Sequence, residues 1–179
     1  MAQTLQNLDA SLLLVIQGLR MDGLNSLVEG YTTLGNAGLL WIVLSLVLLC
    51  RKSTRRAGAC GLLALALGFL CTNVALKNLV GRTRPWLDVP GLIPLVEEGD
   101  PNSFPSGHTT AAFAAAAAWA GSLPRKWMGA LAVGAAVCMG LSRLYVGVHY
   151  PSDVLVGALV GTACACLAGY LYERCTNRI

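Results

Sequence analysis

The chain contains two histidines, and each stands in a cluster suited to gripping and cleaving a phosphate ester. One cluster is Pro105-Ser106-Gly107-His108; the other runs from Ser142-Arg143 to His149 and Asp153. A third, Lys77 followed after six residues by Arg84-Pro85, adds further cations upstream. A phosphate dianion that leaves water needs fixed charges and donors in place of its hydration shell. Lys77, Arg84 and Arg143 supply the charge: the guanidinium fork matches phosphate oxygens in bidentate fashion, and lysine adds a point charge. Singly, each basic residue is more simply an interfacial anchor. In company with the histidines the balance reverses, because ionisable groups near a membrane span are costly and usually functional.

Ser106 falls where the N-cap of the following alanine-rich run belongs. The free N–H groups of a first helical turn form an anion site, and Gly107 lets phosphate approach the backbone with no Cβ in the way. Capping alone leaves His108 unexplained, since a stray polar ring at the mouth of a membrane helix is unfavourable. Pro151 fits the first turn of the last helix, with His149 just ahead of it and Asp153 inside it. A carboxylate so placed can accept the ring N–H, fix the tautomer and leave the other nitrogen nucleophilic. Complementing the helix dipole is a simpler role for Asp153, compatible with the first. His149 is therefore the expected nucleophile, forming a phosphohistidine, and His108 the group that protonates the leaving oxygen and then activates water. Apart from these histidines no Asp/Glu/His cluster has metal-ligand spacing, so neither a metal nor a cofactor is expected.

The elements that position these groups are membrane helices. Of the 179 residues 55% are hydrophobic and 12% charged, with mean hydropathy +0.61, against a charged share of roughly 25% in soluble domains. Five stretches are apolar enough to cross a bilayer: Leu34 to Cys50, Ala57 to Leu76, Ser106 to Leu123, Trp127 to Leu144 and Val154 to Tyr172. The third is rich in alanine, which lets neighbouring helices approach closely and predicts a central place in the bundle. Residues 5–33 form a shorter apolar run broken by Gln17, Arg20 and Asp22. That pattern fits an interfacial or re-entrant helix pair better than a sixth span. The chain thus reads as all-α, a polytopic bundle of about five spans (34–179) behind an N-terminal helical segment (1–33). The seven cysteines lie mostly in apolar runs and read as small reduced core residues. No signal peptide is recognisable in residues 1–20.

Basic residues in short loops set the orientation. Arg51, Lys52, Arg55, Arg56, Arg125, Lys126, Arg174 and Arg178 fall on one side, taken as cytoplasmic. The three clusters fall on the other, with every acidic residue except Glu173; Arg20 and Arg82 are the basic residues there outside the clusters. The clusters are thus expected to share one face, outside the cytoplasmic membrane. The net charge of +4 is scattered and forms no stripe, which argues against a nucleic-acid partner. The expected partners are the bilayer and a lipid substrate; homo-oligomerisation is left open.

Together the three clusters resemble the full signature of the type-2 phosphatidic acid phosphatase, or lipid phosphate phosphatase, family, and every signature position matches from Lys77 to Asp153. The resemblance covers Leu34 to the C-terminus. It implies a helical bundle, metal-independent hydrolysis, the two histidine roles above, and Ser106 and Gly107 among the phosphate ligands. Bacterial relatives commonly carry six spans, so one span short leaves the side of the N-terminus open. Soluble vanadate-dependent haloperoxidases share the signature, but a chain this short and apolar is a poor match for one.

Small bacterial relatives make undecaprenyl diphosphate the first-choice substrate, with phosphatidate or phosphatidylglycerophosphate close behind. Short loops suggest that the lipid tail enters sideways from the bilayer, past Trp86, Leu87, Leu92, Ile93 and Leu95, unless these serve only as an interfacial anchor. A non-catalytic lipid-binding protein of the same fold would be expected to have lost His108, His149 or Asp153. A transporter would place its charges at the midplane.

Overall fold

The computed structural model describes residues 2–177, with side chains from residue 4 onward. Among the described residues there are helices and no strands. Helix α1 (Ala2–Gly18) and α2 (Asp22–Leu34) precede a short 3-10 turn, Asn36–Gly38, and α3 (Leu39–Leu49). Then α4 (Arg55–Phe69) continues through a π-helical run, Leu70–Leu76, into α5 (Lys77–Val80). Gly81 ends that rod in the left-handed conformation, φ 58°, its N–H returning to the Lys77 carbonyl at 3.0 Å. After α6 (Pro85–Asp88) and a long loop come α7 (Gly107–Ala120), α8 (Lys126–Tyr145) and α9 (Pro151–Thr176).

The alanine-rich α7 is the axis. It packs against α4, α8 and α9, and only Ala120 along its length is exposed. Small residues permit this. A Cβ on Gly161 would lie 2.4 Å from the Thr110 carbonyl oxygen, and one on Gly157 would lie 2.8 Å from that of Ser106. Backbone therefore meets backbone along the α7–α9 seam, the contact that small residues give to helices in lipid. On the other flank Trp41 and Trp119 pack with ring centroids 5.7 Å apart.

By length and apolarity three segments can cross a bilayer: Arg55–Asp88, Lys126–Tyr145 and Pro151–Thr176. A fourth is α2 with α3, bent by 50° at their junction. The expected span at Ser106 to Leu123 is a helix of 14 residues, about 21 Å at 1.5 Å per residue, short for a span alone. Enclosed by its neighbours, it has little lipid to match. Residues 5–33 fold as α1 and α2, and α2 lies along α8, the Tyr31 hydroxyl donating to the Ala135 carbonyl at 2.7 Å. The cysteine expectation holds for Cys60 and Cys164, which are buried; Cys50, Cys71, Cys138, Cys166 and Cys175 face outward. In a membrane bundle apolar residues cover the exterior too, so an apolar run does not imply a core position.

At the end of the bundle remote from the histidines, Arg56 at the start of α4 pairs with Glu173 near the end of α9. The basic residues of both inter-helix loops and the clusters thus occupy opposite ends of the bundle.

Candidate active site

Lys77, at the end of the π-helical run, Arg84, ahead of α6, and Arg143, in the last turn of α8, are all buried. They converge with Gly107, His108 and His149 on one end of the bundle. A cavity of about 550 Å³ is lined by Lys77, Arg84, Gly107, His108 and His149. Ser106, Arg143 and Asp153 are buried behind its wall.

Ser106 caps α7: its hydroxyl accepts from the Thr109 N–H at 3.4 Å and the Thr109 hydroxyl at 2.9 Å. A Cβ on Gly107 would point between Asn73 Oδ1, at 3.2 Å, and Lys77 Nζ, at 3.9 Å. The bare glycine therefore keeps the helix N-terminus open toward the lysine.

His149 sits in the turn before α9, fully enclosed. Arg84 Nη1 lies 3.0 Å from its Nε2 and also donates to the Val148 carbonyl at 2.9 Å. An arginine can only donate, so Nε2 presents its lone pair to the cation cluster. The other nitrogen, Nδ1, is 3.6 Å from Asp153 Oδ2 and has no hydrogen-bond partner. That separation exceeds a hydrogen bond, and contacts of this kind in empty sites often tighten when substrate arrives. Burial drives the His149 pKa down to about 3; Asp153 pulls it up, and Arg84 and Arg143 push it further down. The ring is neutral at physiological pH, as a nucleophile must be.

Asp153 is gripped on both oxygens. Arg82 Nη1 donates to Oδ1 at 2.7 Å; the Tyr150 N–H donates to Oδ2 at 2.9 Å, and the Ser103 hydroxyl donates there too. His108 approaches from α7, its Nε2 2.9 Å from Asn36 Oδ1. A Cβ on Gly35 would meet the His108 ring at 3.0 Å and Met139 Cε at 2.7 Å. The break between α2 and α3 is what brings Asn36 to the histidine.

The carboxylates opposite the cations went unread in the sequence. Glu98 bridges Arg143 and Arg84, its Oε2 3.6 Å from the latter, and Asp100 pairs with Lys77. Burial raises the Asp100 pKa, but Lys77, the Asn102 N–H and Arg84 outweigh it and hold the group below the usual carboxylate range. Both acids line the cavity and offset two of the three positive charges. Acidic residues flanking Gly99 between two basic motifs were the available signal. The expected entrance residues are placed elsewhere. Trp86, Leu87, Leu92, Ile93 and Leu95 do not line the cavity, and Leu92 is buried against Leu13, Val89 and Tyr150. The apolar wall is instead Ile42 of α3 with Leu62, Leu65, Ala66 and Phe69 of α4.

The PAP2 superfamily model matches residues 57–177, which include every cluster residue. The chain belongs to the PAP2 superfamily. This PAP2 chain is 33% identical over 170 residues to a decaprenylphosphoryl-5-phosphoribose phosphatase of Mycobacterium tuberculosis, covering 90% of this chain and 89% of that protein. It is 32% identical over 123 residues to an undecaprenyl-diphosphatase of Sulfolobus acidocaldarius, of which it spans 59% of the length, using 69% of its own. The crystal structure of a PAP2-type phosphatidylglycerolphosphate phosphatase from Bacillus subtilis superposes with a TM-score of 0.78 at 30% identity, over 96% of this chain and 87% of that one. Helices α1 to α3 precede the matched region, yet Asp9, Thr32 and Asn36 all bond to the site.

Proposed function

We propose that this PAP2 chain is a membrane phosphatase that hydrolyses a polyprenyl-linked phosphate, undecaprenyl diphosphate first, at the outer face of a bacterial plasma membrane. The observation that carries the chemistry is the lone pair of His149 Nε2 directed at Arg84, with His108 on the same cavity. Phosphate that engages Lys77, Arg84 and Arg143 displaces Glu98 and Asp100 and draws Arg84 away from Nε2. The freed nitrogen attacks phosphorus as the bond to the leaving oxygen breaks, and His108 gives that oxygen its proton. His108 then takes a proton from water, whose oxygen attacks the phosphohistidine; the N–P bond breaks and phosphate departs. The fixed cations and the α7 N-terminus stabilise the charge in both steps.

Support for a polyprenyl tail comes from the apolar wall running from the cradle between α3 and α4, where Ala66 and Phe69 are exposed. The M. tuberculosis and S. acidocaldarius relatives carry polyprenyl names over that same scaffold. The B. subtilis structure supports phosphatidylglycerophosphate as the second reading. The topology that goes with the proposal has α3, α4, α7, α8 and α9 crossing as five segments, with α1 and α2 docked on the outer end.

The test is phosphate release by purified protein from undecaprenyl diphosphate, decaprenylphosphoryl-5-phosphoribose, phosphatidylglycerophosphate and phosphatidate in EDTA. The expected outcome is turnover fastest on a polyprenyl substrate, abolished in His149→Ala. Preference for a diacyl lipid would replace the substrate assignment, and full turnover by His149→Ala would remove the mechanism.

A further inference from the structure

Residue Asp9 lies in α1, outside the region the family model matches, and is 3% exposed. A buried carboxylate is costly unless it is paired and hydrogen-bonded, and this one has three donors. Arg82 Nη2 lies at 2.9 Å, the Ser152 N–H at 3.1 Å, and the Ser152 hydroxyl also donates to it. Arg82 then reaches from Asp9 to the nucleophile's own partner: its Nη1 donates to Asp153 Oδ1 and to Ser152 Oγ, each at 2.7 Å. Its guanidinium stacks 3.8 Å above the Tyr150 ring. Its carbonyl accepts the Ser103 N–H at 2.7 Å, and the Ser103 hydroxyl holds the other Asp153 oxygen.

We propose that Asp9 and Arg82 are positioning residues for the nucleophile: Arg82 fixes the Asp153 carboxylate, and Asp9 both holds Arg82 and restores the negative charge that Arg82 would cancel. The inference rests on His149 as the nucleophile. When Nε2 bonds to phosphorus, the ring keeps its Nδ1 proton and becomes cationic, so its partner must remain an anion. Asp153 paired with Arg82 alone is neutral as a cluster. Adding Asp9 makes it two carboxylates to one guanidinium, a net charge of −1 facing the ring. With Asp9 and Asp153 both buried, that charge is screened less than it would be in water. The N-terminal helix thereby becomes part of the catalytic scaffold: α1 and the linker after it also tie down the loop after α6, through Gln17 to the Gly91 carbonyl at 2.9 Å and Arg20 to the Ile93 carbonyl at 2.6 Å.

Charge counting gives a test that scaffolding alone would fail. Asp9→Asn leaves the cluster neutral, Arg82→Gln leaves it at −2, and the double variant returns it to −1. Each is assayed beside wild type and His149→Ala on whichever lipid of the panel above wild type turns over, with thermal unfolding in detergent measured in parallel. Asp9→Asn should lose about tenfold in kcat, with KM within about twofold and the melting temperature held. The double variant, in which the glutamine amide can still donate to Asp153, should recover to within about threefold of wild type. A double variant slower than Asp9→Asn, or Asp9→Asn within about twofold of wild type, overturns the proposal. If Asp9→Asn alone does not fold, the double variant decides, Asp153 keeping the Tyr150 N–H and the Ser103 hydroxyl as donors: within about threefold of wild type supports, a larger loss overturns. Full turnover by His149→Ala would instead remove the nucleophile assignment beneath it.

Discussion

Replacing Gly157 by alanine adds one methyl group at the seam that carries both halves of the site. The new Cβ would stand 2.8 Å from the Ser106 carbonyl oxygen and 3.2 Å from Thr109 Cβ. To reach an ordinary contact of 3.4 Å, α9 has to move away from α7 by about 0.6 Å, since neither obstacle is the end of a flexible side chain. Alanine gains about 1 kcal/mol of helix propensity over glycine, and overpacking costs about 1–3 kcal/mol. The net cost is at most about 2 kcal/mol, which leaves the protein folded. Activity behaves differently. Gly157 is one turn from Asp153, and the Ser106 N–H bonds the Asp153 carbonyl at 3.1 Å, so the shift separates His149 from the phosphate cradle. A misplacement of about 1 Å can cost 100-fold in rate, so about 0.6 Å should cost roughly tenfold or more in kcat. The assay is phosphate release under saturating lipid, with Gly169→Ala as the control, because a Cβ there meets nothing within 4 Å. Gly157→Ala with wild-type kcat would refute the link between the seam and the site.

Three further outcomes are expected. With two histidines in the chain, 15N-histidine NMR of wild type and His108→Gln assigns both rings. A pKa lowered to about 3 keeps His149 neutral from pH 8 down to about 4, whereas an unfolded ring titrates near 6.5. The native state therefore binds fewer protons between about 6.5 and 3 and loses stability as pH falls through that window; a His149 midpoint near 6.5 would contradict the burial argument. Glu98→Gln removes the anion that competes for Arg84 and Arg143, so vanadate should inhibit it about tenfold more tightly, and unchanged or weaker inhibition would show that Glu98 does not compete. In a background lacking native cysteines, Gly99→Cys should react with a membrane-impermeant maleimide in intact cells and Ser53→Cys should not; the reverse pattern would place the site in the cytoplasm.

That the site residues gather at one end of the bundle was legible in the sequence because their spacing is local: a serine cap, a glycine and a histidine in succession, or a histidine four residues before an aspartate, share a helix end whatever the remainder does. The central position of α7 was legible for the same kind of reason, since alanines mark close approach. What could not be read was long-range. Asp9 meets Ser152 across 143 positions, and Glu98 meets Arg143 across 45. Neither acid has a spacing that distinguishes it from a solvated loop charge. The lining of the cavity was not legible either: Leu92 and Ile93 adjoin the first cluster in sequence, whereas the space beside the cradle opens between helices that hydropathy marks only as spans.

The seclusion of α7 bears on how the enzyme tolerates its surroundings. The helix presenting Ser106, Gly107 and His108 has almost no surface against acyl chains, so stretching or thinning of the bilayer reaches it only through α4, α8 and α9, which are long enough to tilt. Tilting absorbs mismatch at fractions of a kcal/mol per Å, while the cap geometry is referenced to neighbouring backbone and not to the membrane plane. Turnover should therefore change little between thin and thick bilayers or on transfer to detergent.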